Sequence, residues 1–257
     1  MAYNMMNNPL SLAGEICLIT GGGTGIGFGI AAAFVQAGAR VVISGRKEAV
    51  LQQAVAALGP KASYVVNDIS RQQDIPAFVQ QVEAQVGPIS ILVNNAGRHL
   101  KKPMSQTTDE EYLAVLQTNL LSVFTLSREV ANRMSTRKKG AIILISSMSA
   151  VMGMDQVIAY TTAKTALIGL MRGMVADYSR YGIRVNAIAP GWIESEMLYK
   201  AIEADPERKA KIMARIPFKH FGKPEDIGHA ALFLASGAAA YVNGILMPVD
   251  GGAAYAF

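Results

Sequence analysis

Tyr160 and Lys164 stand four residues apart in a stretch of helical periodicity, so both side chains project from one face. An ammonium beside a phenol favours the phenolate and lowers the phenol pKa from about 10 toward neutrality. A tyrosine tuned in this way can protonate a carbonyl oxygen or take the proton of an alcohol. Taken alone, the pair also fits a plain solvated helix face, since the chain has nine tyrosines. Its neighbours carry more weight. Ser147 lies thirteen residues before Tyr160, and Asn119 sits in a long helical pattern upstream. Asn94-Asn95-Ala96-Gly97 and Pro190-Gly191 each close a short apolar run.

A second group of residues suits a phosphate. Thr20-Gly21-Gly22-Gly23-Thr24-Gly25-Ile26-Gly27 follows an apolar run and opens a helical pattern. Glycines permit a tight turn and let backbone N–H groups approach a pyrophosphate at a helix N-terminus. The spacing is neither that of the GxGxxG fingerprint nor that of a P-loop, and a plain glycine-rich turn has the same composition. About twenty residues on, where such folds read the ribose, the chain has Ser44-Gly45-Arg46-Lys47. No carboxylate is there to accept from a 2′-hydroxyl, and a guanidinium can fork onto a 2′-phosphate. This favours NADP over NAD. Asp68 closes a third apolar run, where a carboxylate accepts from an adenine amino group or simply caps a turn.

The elements that must position these groups are readable from periodicity. Ile16–Thr20, Arg40–Ser44, Ser63–Asn67, Ile89–Val93, Ala141–Ser146, Ile183–Ala189 and Ile245–Val249 read as short, nearly continuous apolar strands, as in a sheet covered on both faces. Helical patterns over Gly25–Ala37, Lys47–Leu58, Arg71–Val86, Asp109–Met134, Val157–Tyr181 and Pro224–Ser236 alternate with them. The alternation predicts an α/β, Rossmann-like doubly wound fold, a seven-stranded mostly parallel sheet with helices on both faces. No linker or repeat divides the chain, so residues 1–257 are expected to form one domain. A charged helical insert at about 192–219 is placed to cover a ligand.

Composition excludes several classes. Of 257 residues, 51% are hydrophobic and 17% charged, which points to hidden surface between subunits. The net charge of +5 is scattered rather than gathered in a patch, which argues against nucleic acid. The single cysteine, Cys17, lies in an apolar run and reads as a core residue. His99, His220 and His229 lack metal-ligand spacing, so no metal is expected. The N-terminus does not read as a signal peptide, and no apolar run reaches the ~20 residues of a membrane span. A cytoplasmic setting is the resulting expectation.

With TGGGTGIG, NNAG, Ser147 with Tyr160-x-x-x-Lys164, PGWIES and the terminal VDGG in order, the chain resembles the short-chain dehydrogenase/reductase family from about Leu12 to Gly252. The resemblance implies an NADP(H)-dependent oxidoreductase moving a hydride between the cofactor and a carbonyl or secondary alcohol. It implies that Gly21, Gly23, Thr24, Gly25, Ile26 and Gly27 hold the pyrophosphate. Arg46 would take the 2′-phosphate, and Asp68 with Ile69 the adenine. Asn95, Ala96 and Gly97 would pack under the ribose, and Pro190, Gly191, Ile193 and Ser195 would orient the nicotinamide amide. Ser195 stands where threonine is common. Ser147 would bond the substrate oxygen and Tyr160 would transfer the proton. Lys164 would bind the ribose and lower the tyrosine pKa, and Asn119 would hold a water linking Lys164 to solvent.

For the substrate, the basic loop Arg98-His99-Leu100-Lys101-Lys102 could attract an acid or be merely solvated. The text is similar to members acting on gluconate-type sugar acids. It is nearly as similar to 3-oxoacyl-carrier-protein reductases, with Arg137-Lys138-Lys139 as a basic stretch some of those carry. A cofactor-binding protein without turnover is a third possibility, which the complete Asn–Ser–Tyr–Lys set disfavours. The apolar excess on Asp109–Met134 and Val157–Tyr181 predicts a homotetramer, with a dimer as fallback.

Overall fold

The computed structural model describes residues 8–203 and 205–256. Residues 1–7, 204 and 257, parts of the expected single domain and its insert, lie outside the described residues. Seven strands, β1 (Ile16–Thr20), β2 (Arg40–Gly45), β3 (Ala62–Val66), β4 (Ile91–Asn94), β5 (Gly140–Ile145), β6 (Ile183–Pro190) and β7 (Leu246–Val249), form one sheet in the order β3-β2-β1-β4-β5-β6-β7. All six pairings are parallel, where the sequence predicted a mostly parallel sheet. The order reverses between β1 and β4. In such sheets ligands bind in the crevice beyond the strand C-termini at that point.

The helices are α1 (Gly25–Gln36), α2 (Glu48–Leu58), α3 (Ile75–Val86), α4 (Asp109–Leu116), α5 (Ser122–Arg137), α6 (Ile158–Tyr178), α7 (Glu196–Glu203), α8 (Pro206–Arg215) and α9 (Pro224–Ala235). Strand side chains alternate between two cores. Cys17, Ile19, Val41 and Ile43 face Ile30 and Phe34 of α1, Leu51 of α2 and Ile227 and Leu234 of α9. Leu18, Val42, Leu92 and Ile142 face Phe78 and Val82 of α3, Leu126 and Val130 of α5 and Leu167 and Met171 of α6. Phe34 is fully buried; truncating it to alanine costs about 3–5 kcal/mol by the usual core scale. The Cys17 thiol is buried and held well above its ordinary pKa, first by burial and then by Glu15.

The structure differs from the sequence reading in several places. The predicted helix Asp109–Met134 is α4 and α5 joined by a π-helical turn at Gln117–Leu121. The helix predicted from Arg71 starts as α3 at Ile75, after a 3-10 turn at Gln72–Asp74, because a proline occupies its first turn. The helix predicted to Tyr181 ends at Tyr178 and closes with a 3-10 turn. The insert is two helices, and Asp205 starts the second by accepting from the Arg208 N–H at 2.9 Å. Among the described residues no helix is long and apolar enough to cross a membrane.

Candidate active site

The glycine turn after β1 and the Asn94–Gly97 segment after β4 meet at the switch point and are laced together. Thr20 Oγ1 accepts from the N–H groups of Asn95 and Ala96 at 3.1 and 3.0 Å. The Asn95 amide donates to the carbonyls of Thr20 and Gly21 at 2.9 and 3.0 Å. Gly21 has φ +66°, and a Cβ there would stand 2.9 Å from the Asn95 amide nitrogen. A Cβ on Gly27 would run into the Gly21 carbonyl oxygen. Gly25, with φ +52°, has open space where its side chain would be. The first turn of α1 carries no acid, and Thr24 makes no side-chain cap bond. A floor of exposed N–H groups at a positive helix end, roofed by nothing larger than glycine, fits a pyrophosphate.

The nucleotide end fits as well. Arg46 is exposed beyond the end of β2 and has no ion pair among the described residues. Asp68 Oδ1 accepts from the Ser70 hydroxyl at 2.7 Å and the Ser70 N–H at 3.1 Å. Burial works against the Asp68 charge, yet the two Ser70 bonds and the charges of Arg46 and Arg71 hold it below the ordinary carboxylate value. Its other oxygen is left for a donor such as an adenine amino group. These residues therefore suit NADP(H): a phosphate cradle, a free guanidinium at the ribose position and an ionised acceptor beyond it.

At the opposite end, Ser147 leads a 3-10 turn after β5 and accepts from the Ser149 N–H at 3.1 Å. Its hydroxyl lies close enough to that of Tyr160 to favour the phenolate. Lys164, one turn further along α6, is buried and donates to the Ile145 carbonyl at 2.7 Å. Its ammonium lies 5.6 Å from the centre of the Tyr160 ring. Burial draws the Lys164 pKa from 10.5 down to about 8. Burial pushes the phenol above its ordinary value, and the Ser147 hydroxyl offsets this only in part. The ammonium is turned to a backbone carbonyl.

Asn119 is tied to the loop after β4. It is fully buried in the π turn, and its side chain clamps the backbone of Arg98, accepting from the N–H and donating to the carbonyl, both at 2.8 Å. These two bonds use one lone pair and one N–H of the amide. A π turn frees a backbone carbonyl, and these turns recur at functional sites. Asn119 Oδ1 would stand 3.2 Å, and the Lys164 ammonium 3.8 Å, from a Cβ on Gly97.

Pro190 ends β6, and the Gly191 N–H bonds to the Val249 carbonyl at 3.0 Å. Ile193 is nearly buried and bridges to Gly222. Ser195 accepts from the Leu198 N–H at 3.1 Å, which caps α7 and leaves its O–H to donate. Ile26, Ile69, Gly23 and Ala96 lie on the same segments around the floor.

The basic loop separates into parts. Lys102 is paired with Glu111 at 2.8 Å, whereas Lys101 is exposed with no pair among the described residues. His99, which the sequence named only as a non-ligand and as part of the basic loop, lies against Tyr160 with ring centres 4.8 Å apart. Its imidazole is held below its ordinary pKa by enclosure in the cleft, then by Arg208 of α8 and by Lys101. Thr20, His99 and Arg208 were all missed as site residues; only Thr20 had a local signal, as the residue opening the glycine motif. The other basic stretch lies at the far end of the sheet, before β5. There Arg137 pairs with Glu83 at 3.1 Å and Lys139 with Glu15 at 2.6 Å. It cannot serve the cleft. No group of metal-ligating residues occurs among the described residues.

A family model described as enoyl-(acyl carrier protein) reductase matches residues 21–254. The 5-keto-D-gluconate 5-reductase of Escherichia coli (strain K12) is 37% identical over 250 residues, covering 96% of this chain and 98% of the relative. A 3-oxoacyl-[acyl-carrier-protein] reductase of Chlamydia muridarum (strain MoPn / Nigg) is 36% identical over 247 residues, covering 95% of this chain and 98% of the relative. Among solved structures, a gluconate 5-dehydrogenase from Burkholderia cenocepacia J2315, in complex with NADP and tartrate, superposes with a TM-score of 0.91 at 36% identity. It covers 97% of this chain and 98% of its own.

Proposed function

The chain belongs to the short-chain dehydrogenase/reductase family, and from that premise we propose how its site works and on what. It is an NADP(H)-dependent oxidoreductase acting on a carbonyl and its secondary alcohol, and its substrate is a sugar acid of the gluconate type. When bound, the nicotinamide supplies the hydride to the carbonyl carbon. Charge then grows on the carbonyl oxygen, where the Ser147 hydroxyl donates a hydrogen bond and Tyr160 delivers its proton. A phenol raised by burial is protonated at neutral pH, the form a reduction requires. Lys164 holds the nicotinamide ribose. Asn119 fixes the loop that carries Gly97 and Arg98, and Ser195 offers its free O–H to the nicotinamide amide. The glycine turn, Arg46, Asp68 and Asn95–Gly97 hold the rest of the cofactor. The insert at 192–219 covers the substrate.

One observation carries this reading: two neighbouring hydroxyls beside a buried lysine, at the end of a floor built for a pyrophosphate. Relatives named for keto-gluconate and gluconate support the sugar acid, as does a structural neighbour holding NADP and tartrate. A 3-oxoacyl-carrier-protein reductase is the second reading, favoured by the Chlamydia muridarum relative. It loses one support, because Arg137 and Lys139 are paired away from the cleft. NADPH oxidation with 5-ketogluconate, an acetoacetyl thioester and a neutral ketose separates the readings. The sugar acid is expected to be fastest; a faster thioester would reverse the order.

The same reading extends to assembly and place. Leu113, Leu121 and Phe124 of the α4–α5 segment are 60%, 45% and 43% exposed. On α6, Gly169 and Gly173 present open backbone at one helical spacing. Apolar and small surfaces of this extent suit a helix-to-helix contact across a twofold axis. The enzyme is a cytoplasmic homotetramer, with a dimer as the smaller alternative. Light scattering at micromolar concentration tests this, and a stable, fully active monomer contradicts it.

A further inference from the structure

Helix α8 is anchored to the catalytic end of the cleft. Its Ile212 packs in one cluster with Met148, the neighbour of Ser147, and with Trp192 and Met152. One turn before Ile212 on the same face stands Arg208, which is half-buried and has no ion pair among the described residues. One residue before Ile212, Lys211 lines a cavity of about 430 Å³ with Met152, Trp192 and Arg215. Lys101, two residues from His99 on the same loop, is exposed and has no ion pair among the described residues. The His99 ring leans on Tyr160 at 4.8 Å, tilted by 51°. Its imidazole therefore forms a wall of the space in front of the catalytic hydroxyl.

The charged groups acting on His99 are Arg208 from α8 and Lys101 from its own loop; Tyr160 packs against it from α6. Two cations act on this imidazole, and no carboxylate among the described residues acts with them. An anionic ligand would offset their positive field. A neutral imidazole also offers one donor and one acceptor, as a chain of hydroxyls requires.

We propose that His99 and Arg208 are the residues by which this enzyme selects an open-chain polyhydroxy acid. Arg208, helped by Lys101, binds the carboxylate. His99 hydrogen-bonds a hydroxyl between the carboxylate and the reacting carbon, so both are positioning residues rather than catalytic ones. The proposal rests on the sugar-acid reading above and names how that acid is recognised. Binding also has a proton linkage. A carboxylate brought beside His99 favours its protonated form, so KM for the acid falls as pH drops through and below the ordinary imidazole value of 6.5, while a neutral ketose shows no such slope.

The test compares 5-ketogluconate with the neutral ketose D-fructose, using NADPH, in wild type and in Arg208→Gln, Arg208→Lys, His99→Gln and His99→Ala. Loss of a charge-assisted bond raises KM for the acid about 10- to 100-fold in Arg208→Gln, with kcat within about threefold and D-fructose unaffected. Arg208→Lys recovers part of the loss. His99→Gln keeps a hydrogen bond and flattens the pH slope; His99→Ala loses both. NADPH binding is unchanged throughout, which shows an intact fold. An unchanged ratio of acid to ketose efficiency in Arg208→Gln overturns the proposal while leaving the sugar-acid reading in place. A wild type that reduces the thioester and no sugar acid overturns that reading, and the proposal with it.

Discussion

Thr20 and Asn95 join two loops with five hydrogen bonds, and every partner is backbone or another member of the set. On the other side of the cleft, Lys101 and Arg208 both act on His99 and have no ion pair among the described residues. The cofactor floor is glycine, carbonyl and N–H, held at the reversal of strand order where β1 and β4 run side by side. The substrate rim is long charged side chains on a loop and a two-helix insert. A floor of that kind fixes geometry to tenths of an ångström, as hydride and proton transfer require. A rim of that kind changes its preference by single substitutions without disturbing the chemistry. Such a division lets similar chains be named for sugar acids and for acyl-carrier substrates at nearly equal identity.

The sharpest way to break the comparison is at the floor's reacting end. Tyr160→Phe removes the proton and little else, so turnover should fall by roughly 10²–10⁴. NADPH binding, followed by its fluorescence in the same preparation, should stay within a few-fold. Turnover near wild type would take Tyr160 out of the mechanism. The nucleotide end comes next. Arg46→Ala should shift the NADPH-to-NADH preference by roughly ten- to a hundredfold, the worth of a charge-assisted fork. An unchanged ratio would leave Arg46 a solvated side chain.

Much of this was legible because the chemistry constrains residue type tightly. Gly21 and Gly27 stand where another residue would strike Asn95 or the Gly21 carbonyl, so the motif is spelled in glycine. The strands were visible because β1 and β2 are buried on both faces and therefore apolar throughout. What escaped depends on long-range contact. The π turn at Gln117–Leu121 reads as ordinary helix, since it is tied to an amide that clamps Arg98 twenty-one residues away. His99 beside Tyr160 is set by the path of a loop, which has no period. The rise in the Tyr160 pKa comes from burial, which the Tyr-x-x-x-Lys spacing does not reveal. Arg137 and Lys139 looked available in the sequence because Glu83 and Glu15 are distant along the chain.

Two stability measurements sharpen the contrast between floor and rim. Lys164 has a folded pKa of about 8 against an ordinary 10.5. The unfolded chain therefore binds more protons between those values, and this group makes stability rise with pH across that window. Lys164→Met should remove that part of the slope in urea unfolding between pH 8 and 10; an unaltered slope would mean that the lysine is not buried as described. Smaller is the effect of Thr20→Val, which keeps the shape but leaves the N–H groups of Asn95 and Ala96 without their acceptor. It should cost about 1–3 kcal/mol. The rim counterpart, Lys101→Gln, should lie within about 0.5 kcal/mol of wild type. Equal losses would erase the distinction between the two regions.

The most direct test of the whole account is a crystal structure of the ternary complex with NADP and gluconate. One substrate hydroxyl should lie within about 2.6–3.2 Å of both the Ser147 and Tyr160 hydroxyls, with its carbon facing the nicotinamide and the carboxylate toward Arg208 and Lys101. Gluconate bound with no oxygen in reach of Tyr160, or with its carboxylate turned from the rim, would contradict it.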